Sequence, residues 1–393
     1  MNLELHILQN FAPANLNRDD TGSPKTCDFG GVRRGRISSQ AIKRAIRYQF
    51  REHQFPLVAS GERSKRLRNE VAKALAGRRD QSDAKNAFDA AMAILGILSE
   101  ERGDAEESDI RTEVLVFASP TQIAAISDVC DGQWDELQAI HQKLWPSGKT
   151  KKPSKDGAKK MGSADLKGAL WDAIDSARSA DLALFGRMLA DLPKGNIDAA
   201  SQVAHAISTH AISAEFDYYT AVDDLKPEDT AGADMIGTVE FNSACYYRYA
   251  NIDLGQLRKN LDGDAELAAA TVDAFLAASR DAIPTGKQNS FAAQNPPSLL
   301  FAVLRDRGAW SLANAFLKPV RQDRDTDLAQ ASAKALDGYW GELTGTYGEP
   351  AGAQLSVVAL DGIKLGSLER DRASNFREFA DTISQGVAAG MGQ

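Results

Sequence analysis

The 393-residue sequence predicts an α+β protein in which a helical insertion separates the early strands from the middle ones. Three observations predict it. Leu3, Leu5 and Ile7 alternate within residues 2–9, the period of a half-buried strand. Residues 52–180 carry mostly helical periodicity. Residues 238–252 have high β propensity, with Phe241, Cys245, Tyr247 and Tyr249 on one face. Segregated blocks of this kind fit α+β layers. The length has room for two or three domains and a sizeable core.

The elements follow in order. After the first strand, residues 11–37 read as a loop rich in Asn, Asp, Gly, Pro and Arg. Ser38 or Ser39 is a good N-cap, and residues 40–51 read as the helix it starts. Helices are expected over 65–75, 84–98, 133–144 and 165–178, and Ser119-Pro120 opens another. Residues 112–117 and 181–185 read as short strands, and the Lys-, Gly- and Ser-rich stretch 146–161 as an exposed loop. Residues 197–209 read equally as a helix or a buried strand, and 211–237 show little periodicity. Beyond the long strand come helices at 264–282, 326–343 and 367–387, and strands at 298–304 and 354–360.

Charge is distributed unevenly. The chain is acidic at net −8, yet residues 33–51 carry seven basic side chains and no acidic one. They are Arg33, Arg34, Arg36, Lys43, Arg44, Arg47 and Arg51. At about 100° per residue, Ile42, Ala45, Ile46 and Phe50 share one side of the helix, and Gln40 and the basic residues the other. A cationic strip on an anionic protein is a local attraction for something negative and extended, and nucleic acid leads. The helix N-terminus would add free N–H groups for phosphate. Gly30-Gly31 would let the backbone approach a ligand.

Other chemistry finds little support. The three cysteines, Cys27, Cys130 and Cys245, form neither a disulfide framework nor a zinc pattern, and a reducing cytoplasm is expected. Residues 1–11 lack a signal-peptide pattern, and 90–98 is too short an apolar run to cross a bilayer. Residues 147–150 end like a phosphate-binding loop but have Lys143 where glycine is required. His205 and His210 are five apart, the wrong spacing for metal ligands on one helix face. Neither a G-x-S-x-G elbow nor an H-E-x-x-H motif occurs. No metal or cofactor is expected. Asp19 and Asp20 could hold Mg²⁺ for phosphodiester cleavage, or pair with Arg18 and order their loop; the second reading is preferred.

The residues then match something specific. Leu16-Asn17-Arg18-Asp19-Asp20, Phe29-Gly30-Gly31 and Arg36-Ile37-Ser38-Ser39-Gln40-Ala41-Ile42-Lys43-Arg44-Ala45 resemble the CasC family, the backbone subunits of the type I-E CRISPR surveillance complex Cascade. Gly186-Arg187-Met188, the stretch 204–210, Thr220 to Leu225, Tyr247 to Ile252 and Leu312 to Phe316 continue the pattern in order. The resemblance implies a hand-shaped fold of the RAMP superfamily: an RRM/ferredoxin-like palm (1–51 and 181–393), helical fingers inserted at 52–180, and a protruding thumb at 206–238. It implies a cytoplasmic, non-catalytic, crRNA-binding protein of antiviral defence. Several copies would stack along one guide RNA, kink it at regular intervals and present bases to target DNA. The implied partners are crRNA, other copies of the chain, and the large, small, guide-5′-end-capping and guide-processing subunits, with no membrane. The alternative is a metal-dependent endoribonuclease of the same superfamily using Asp19 or Asp20.

The resemblance also assigns residues. Arg18, Lys25, Arg36, Ser38, Gln40, Lys43 and Arg47 match positions that line the guide backbone, and Arg34 and Arg44 of the same strip are grouped with them. Met188, beside Gly186 and Arg187, matches a wedge between bases; the alternative is a core methionine at a strand end. Tyr218, Tyr219, Thr220 and Val222 match the thumb tip, where stacking accepts any base. The Lys-rich loop 149–160 has no family counterpart and either touches target DNA or is solvated; the second reading is preferred.

Overall fold

In a computed structural model of the chain, nine strands among the described residues join one sheet. The structure describes residues 1–53, 55, 58, 60–100, 110–146, 153–175, 179–189, 193–221 and 235–391. Two units emerge: 1–53, 201–255 and 269–393 form the first, and 54–200 with 256–268 the second. The stretch 181–200, grouped from the sequence with the later half, clusters with the second unit.

The first unit holds strands β1 (Asn2–Ala14), β2 (Thr26–Phe29) and β3 (Val32–Ile37), then helix α1 (Ser39–Glu52). Strands β4 (Ser201–Val203), β5 (Ala206–Ser208), β6 (Glu215–Ala221) and β7 (Met235–Asp253) follow, then helix α2 (Ala265–Asp281), which belongs to this unit from residue 269 on. Strand β8 (Leu299–Arg305), helix α3 (Leu328–Tyr347), strand β9 (Gln354–Ala359) and helix α4 (Phe376–Met391) complete it. The sheet runs β9-β8-β1-β7-β5-β3-β2, with β4 and β6 also paired to β7. Its centre, β8-β1-β7-β5, is antiparallel throughout, with Leu5 opposite both Ala250 and Ala302. With α1 between β1 and β4–β5 and α2 between β7 and β8, this is the βαββαβ order of a ferredoxin-like sheet.

Strand alternation divides β1 between two layers. Leu5 and Ile7 line a small cavity with Ile42 and Ile46 of α1 and Ser279 of α2, so both helices cover that face. Leu8 turns the other way, into a core with Tyr247, Phe301, Leu336 and Trp340. Tyr247 and Tyr249 share that core, as the odd-numbered face of the long strand requires.

The second unit packs helices Leu67–Ala74, Gln81–Leu95, Pro120–Gly132, Trp134–Leu144 and Ala164–Asp175 around an apolar cluster centred on Phe88, Met92 and Leu137. Ser119 and Gln122 close a reciprocal capping box at Pro120, which explains the sharp helix start.

Several sequence expectations need correction. Residues 11–37 are not all loop: β1 runs on to Ala14, and β2 and β3 form a hairpin. Gly30 and Gly31 are its turn, at φ 62° and 76°. A side chain on Gly30 would lie 1.8 Å from the Leu317 carbonyl oxygen, so its close approach is to this chain's own backbone. Residues 181–185 lie in the helix Ala180–Phe185, because a short apolar run has no period of its own. The ambiguous 197–209 resolves into β4 and β5, and the aperiodic 211–237 contains β6. Residues 112–117 split between strands Arg111–Thr112 and Val116–Ala118. Within 146–161, a helix Lys155–Lys159 buries Ala158, and the Lys155 ammonium lies 2.9 Å from Glu113. Residues 147–152, including Lys149, lie outside the described residues.

Candidate nucleic-acid interface

The site starts at the entry to α1. Ser38 is extended, and its hydroxyl accepts from the Ala41 N–H. The predicted face is the buried one, formed by Ile42, Ala45, Ile46 and Phe50. No acidic residue lies in the first turn, so nothing in the helix competes with an anion for the positive end of its dipole. The Ser38 N–H expected to be free is donated to the Asn17 side-chain oxygen at 2.8 Å. Ser39 and Gln40 keep N–H groups without intrahelical acceptors.

Asn17 thereby ties the helix to the 17–25 loop. Within that loop the Lys25 N–H donates to the Asn17 carbonyl, and Arg18 bridges Pro24. The Asn15 amide closes the base by donating to the Gly22 and Glu240 carbonyls, both at 2.9 Å. Asp19 does not pair with Arg18. Its carboxylate accepts from the Thr21 hydroxyl at 2.7 Å and from the Thr21 and Ser23 N–H groups, which hold its pKa below the usual range. It orders its own loop. Among the described residues, no group of three or more His, Cys, Asp or Glu could hold a metal ion.

A groove of about 640 Å³ opens between the loop, α1 and residues 284–286. Arg18, Gln40 and Arg44 line it together with Asp20, Tyr48 and Thr285. The Arg44 guanidinium lies 4.7 Å from the Tyr48 ring centroid and donates to the Tyr48 hydroxyl at 2.8 Å and to Thr285 at 3.3 Å. These contacts hold a long side chain extended, which reduces the entropy a ligand contact must offset. Lys43 and Arg47 lie on α1 outside the groove lining, and burial lowers the Lys43 pKa.

Lys25 and Arg36 lie at a second place, a small cavity that shares Leu16 and Asn17 with the groove. Arg36 donates to the Thr26 carbonyl at 3.2 Å and to the exposed His205 at 3.0 Å. Among the described residues, none of Arg18, Lys25, Arg33, Arg36, Lys43 and Arg44 has a carboxylate at ion-pair distance.

Two of the predicted arginines serve the fold instead. Arg34 is fully buried and donates to the carbonyls of Phe29, Ser208 and Phe316. Arg187, in the second unit, is buried and donates to the carbonyls of Gly195, Phe117 and Ile174. Both satisfy main-chain oxygens that have left water, as a buried guanidinium must. Gly186 sits at φ 74°, with no room for a side chain against the Ile197 carbonyl. Met188 beside it is 83% exposed, so the alternative of a core methionine does not hold.

Strand β6 pairs with the start of β7, Tyr218 opposite Thr238 and Tyr219 opposite Gly237. Tyr218 is 62% exposed and Tyr219, with its ring over Gly237, is 40% exposed; Thr220 is exposed too. Phe216, 68% exposed, shares a strand face with Tyr218. Val222 lies outside the described residues.

Sequence reasoning missed Tyr48, Thr285, Phe216 and the pairing of His205 with Arg36. Tyr48 is one helical turn from Arg44 and Phe216 two residues from Tyr218, so spacing could have found both. Thr285 meets Arg44 across 241 residues of chain, and no local signal marks it.

No helix among the described residues is long and apolar enough to cross a membrane. No curated protein matches the chain. One solved structure, titled "CRISPR RNA-guided surveillance complex, pre-nicking", contains a chain that is 30% identical, with a TM-score of 0.82 over 98% of this chain and 100% of the other. A second, titled "CRISPR RNA-guided surveillance complex", contains one that is 25% identical, with a TM-score of 0.72 over 98% of this chain and 99% of the other. The profile of the CT1975-like protein family matches residues 3–384, nearly the whole sequence, and the chain therefore belongs to this family of Cas proteins.

Proposed function

We propose that this chain is a non-catalytic, crRNA-binding backbone subunit of a CRISPR surveillance complex of the Cascade kind, type I-E. The observation that carries this reading is that Arg18, Lys25, Arg33, Arg36, Lys43 and Arg44, on the 17–25 loop, β3 and α1, meet no carboxylate at ion-pair distance among the described residues. Such a set attracts a phosphate chain without reading its sequence, as a subunit that must accept every guide requires. The sheet unit would be the palm, the inserted helical unit the fingers, and the region of β6 and the start of β7 the thumb. Phe216, Tyr218 and Tyr219 would stack on bases, each such contact contributing about 1–3 kcal/mol for any base. Met188, apolar and exposed, suits insertion between bases at a kink. Copies of the chain along one guide, with the other subunits of the complex, would then leave the intervening bases free to pair with target DNA.

The test is the native mass of the assembly co-expressed with guide RNA, with the RNA sized separately. The expected result is several copies of the chain per RNA of uniform length. Purification as an RNA-free monomer under the same conditions would refute the proposal. Incubation of that assembly with complementary RNA and Mg²⁺ should leave the RNA intact. Regular cuts that disappear in Asp19→Ala or Asp20→Ala would replace the reading with an endoribonuclease.

A further inference from the structure

Lys25, Arg36 and His205 come together from three parts of the first unit. Lys25 ends the 17–25 loop, Arg36 lies on β3, and His205 lies between β4 and β5. The backbone holds the three in place. The Arg36 N–H donates to the Lys25 carbonyl at 2.8 Å, and Arg36 faces Ile207 across the sheet while Ile37 faces Ala206. The contact between Arg36 and His205 has a fixed polarity. A guanidinium can only donate, so the histidine Nδ1 that meets Arg36 Nη1 must be an unprotonated acceptor. The imidazole is then neutral and carries its proton on Nε2. The remaining N–H groups of Arg36 have no protein partner among the described residues.

We infer that His205 is a further RNA-backbone contact. With Arg36 and Lys25 it takes a phosphodiester of the bound strand, and it gains a proton as it does so. The inference rests on the reading of this chain as an RNA-binding subunit. In the empty site Arg36 is parked on the imidazole lone pair. A phosphate offers acceptors to both groups. When Nδ1 is protonated it stops accepting from Arg36, and the guanidinium turns its freed N–H to the phosphate. The proton comes from solvent and no covalent bond changes. A polyanion thus converts a neutral–cationic pair into two cations that share it.

The electrostatics of the empty site run the same way. Burial, then the charges of Arg36 and Lys25, lower the His205 pKa. Among the described residues, those two cations are the charged groups that act on the ring. The Cys27 thiol of β2, near Arg36, is pushed up by burial and stays uncharged, and the Asp28 charge acts on that thiol. A bound phosphate raises the imidazole pKa above its value in the empty site. Binding therefore takes up a proton, and affinity falls as pH rises through the window between the two values.

The experiment measures binding of a single-stranded oligoribonucleotide of arbitrary sequence to the full-length chain, at fixed ionic strength, from about pH 5.5 to about pH 8. Wild-type affinity should rise severalfold per unit of acidification, to a limit of about tenfold for one proton. His205→Gln should lose that slope. Arg36→Gln should keep a slope but shift it to higher pH, because the imidazole loses both a cationic neighbour and the donor that required it to be neutral. In the free protein, ¹⁵N spectra of His205 should show the Nε2–H tautomer. RNA binding whose pH slope is equal in wild type and His205→Gln overturns this inference and leaves the proposed function standing. An Nδ1–H tautomer in the free protein also overturns it. Absence of RNA binding at every pH overturns both.

Discussion

The strip on the 17–25 loop, β3 and α1 contrasts with the helical second unit, although both are rich in basic residues. In the second unit several cations are answered from within. Arg68 and Asp89 are buried together at 2.8 Å, with the Ser99 hydroxyl donating to the same carboxylate. Arg78 and Arg79 share Asp131 at 3.0 and 2.6 Å, and Lys73 meets Glu70 at 2.8 Å. In the strip, Arg18, Arg36, Lys43 and Arg44 meet hydroxyls, a carbonyl, an imidazole or solvent, but no carboxylate among the described residues. An exposed ion pair adds little stability, so its absence is not explained by a saving of free energy. The unanswered field is the feature a polyanion can use.

The largest expected effect tests the second-unit side of that contrast. Arg68→Met leaves Asp89 as a buried charge without its counter-ion and should cost about 3–5 kcal/mol of unfolding free energy. Urea denaturation of the full-length chain checks it, and a loss near zero would show that the buried pair does not hold the unit. Next comes the strip. Arg18→Ala combined with Arg44→Ala should weaken single-stranded RNA binding by about 2 kcal/mol or more. The plot of log affinity against log salt should flatten by about 1.4, the counterions of two phosphate contacts. Stability should change by less than about 0.5 kcal/mol. A double variant that unfolds more readily but binds RNA normally would place these arginines with the structural ones.

The smallest effect concerns the buried polar layer of β1. Burial, aided by Arg305, lowers the His6 pKa from 6.5 to about 3, and burial raises that of Glu4 from 4.5 to about 7. Between pH 6.5 and 4.5 the two oppose each other: the unfolded chain takes a proton on His6 while the folded protein takes one on Glu4. Below pH 4.5 Glu4 is protonated in both states and only His6 contributes. Stability should then fall with acid by up to about 1.4 kcal/mol per pH unit from this residue until about pH 3. His6→Gln should make the decline between pH 4.5 and 3 shallower. Equal slopes in the two proteins would show that the imidazole is protonated in the fold.

Much of this was legible locally. The buried stripe Ile42, Ala45, Ile46 and Phe50 follows from helical period, the Ser38 cap from residue type, and the long aromatic β7 from propensity. The β2–β3 hairpin escaped because its strands are short and polar, with burial on one face only in part. The strand expected at 181–185 failed for a related reason: a five-residue apolar run satisfies a buried helix as well as a buried strand.

The amino-acid sequence by itself determined that a cationic strip exists and which face of α1 it occupies, because charge and helical period are local properties. Only the tertiary structure decided how the strip is divided. Arg34 and Arg36 are two residues apart on β3, so alternation sends them the same way. Yet Arg34 meets the carbonyls of Ser208 and Phe316 and is buried, whereas Arg36 reaches His205 at an exposed edge. Which cation satisfies the backbone and which remains for a ligand depends on groups more than 160 residues away in the chain, as these hydrogen bonds span 174, 282 and 169 residues. Desolvation is set by what folds over a side chain, and no local pattern records that.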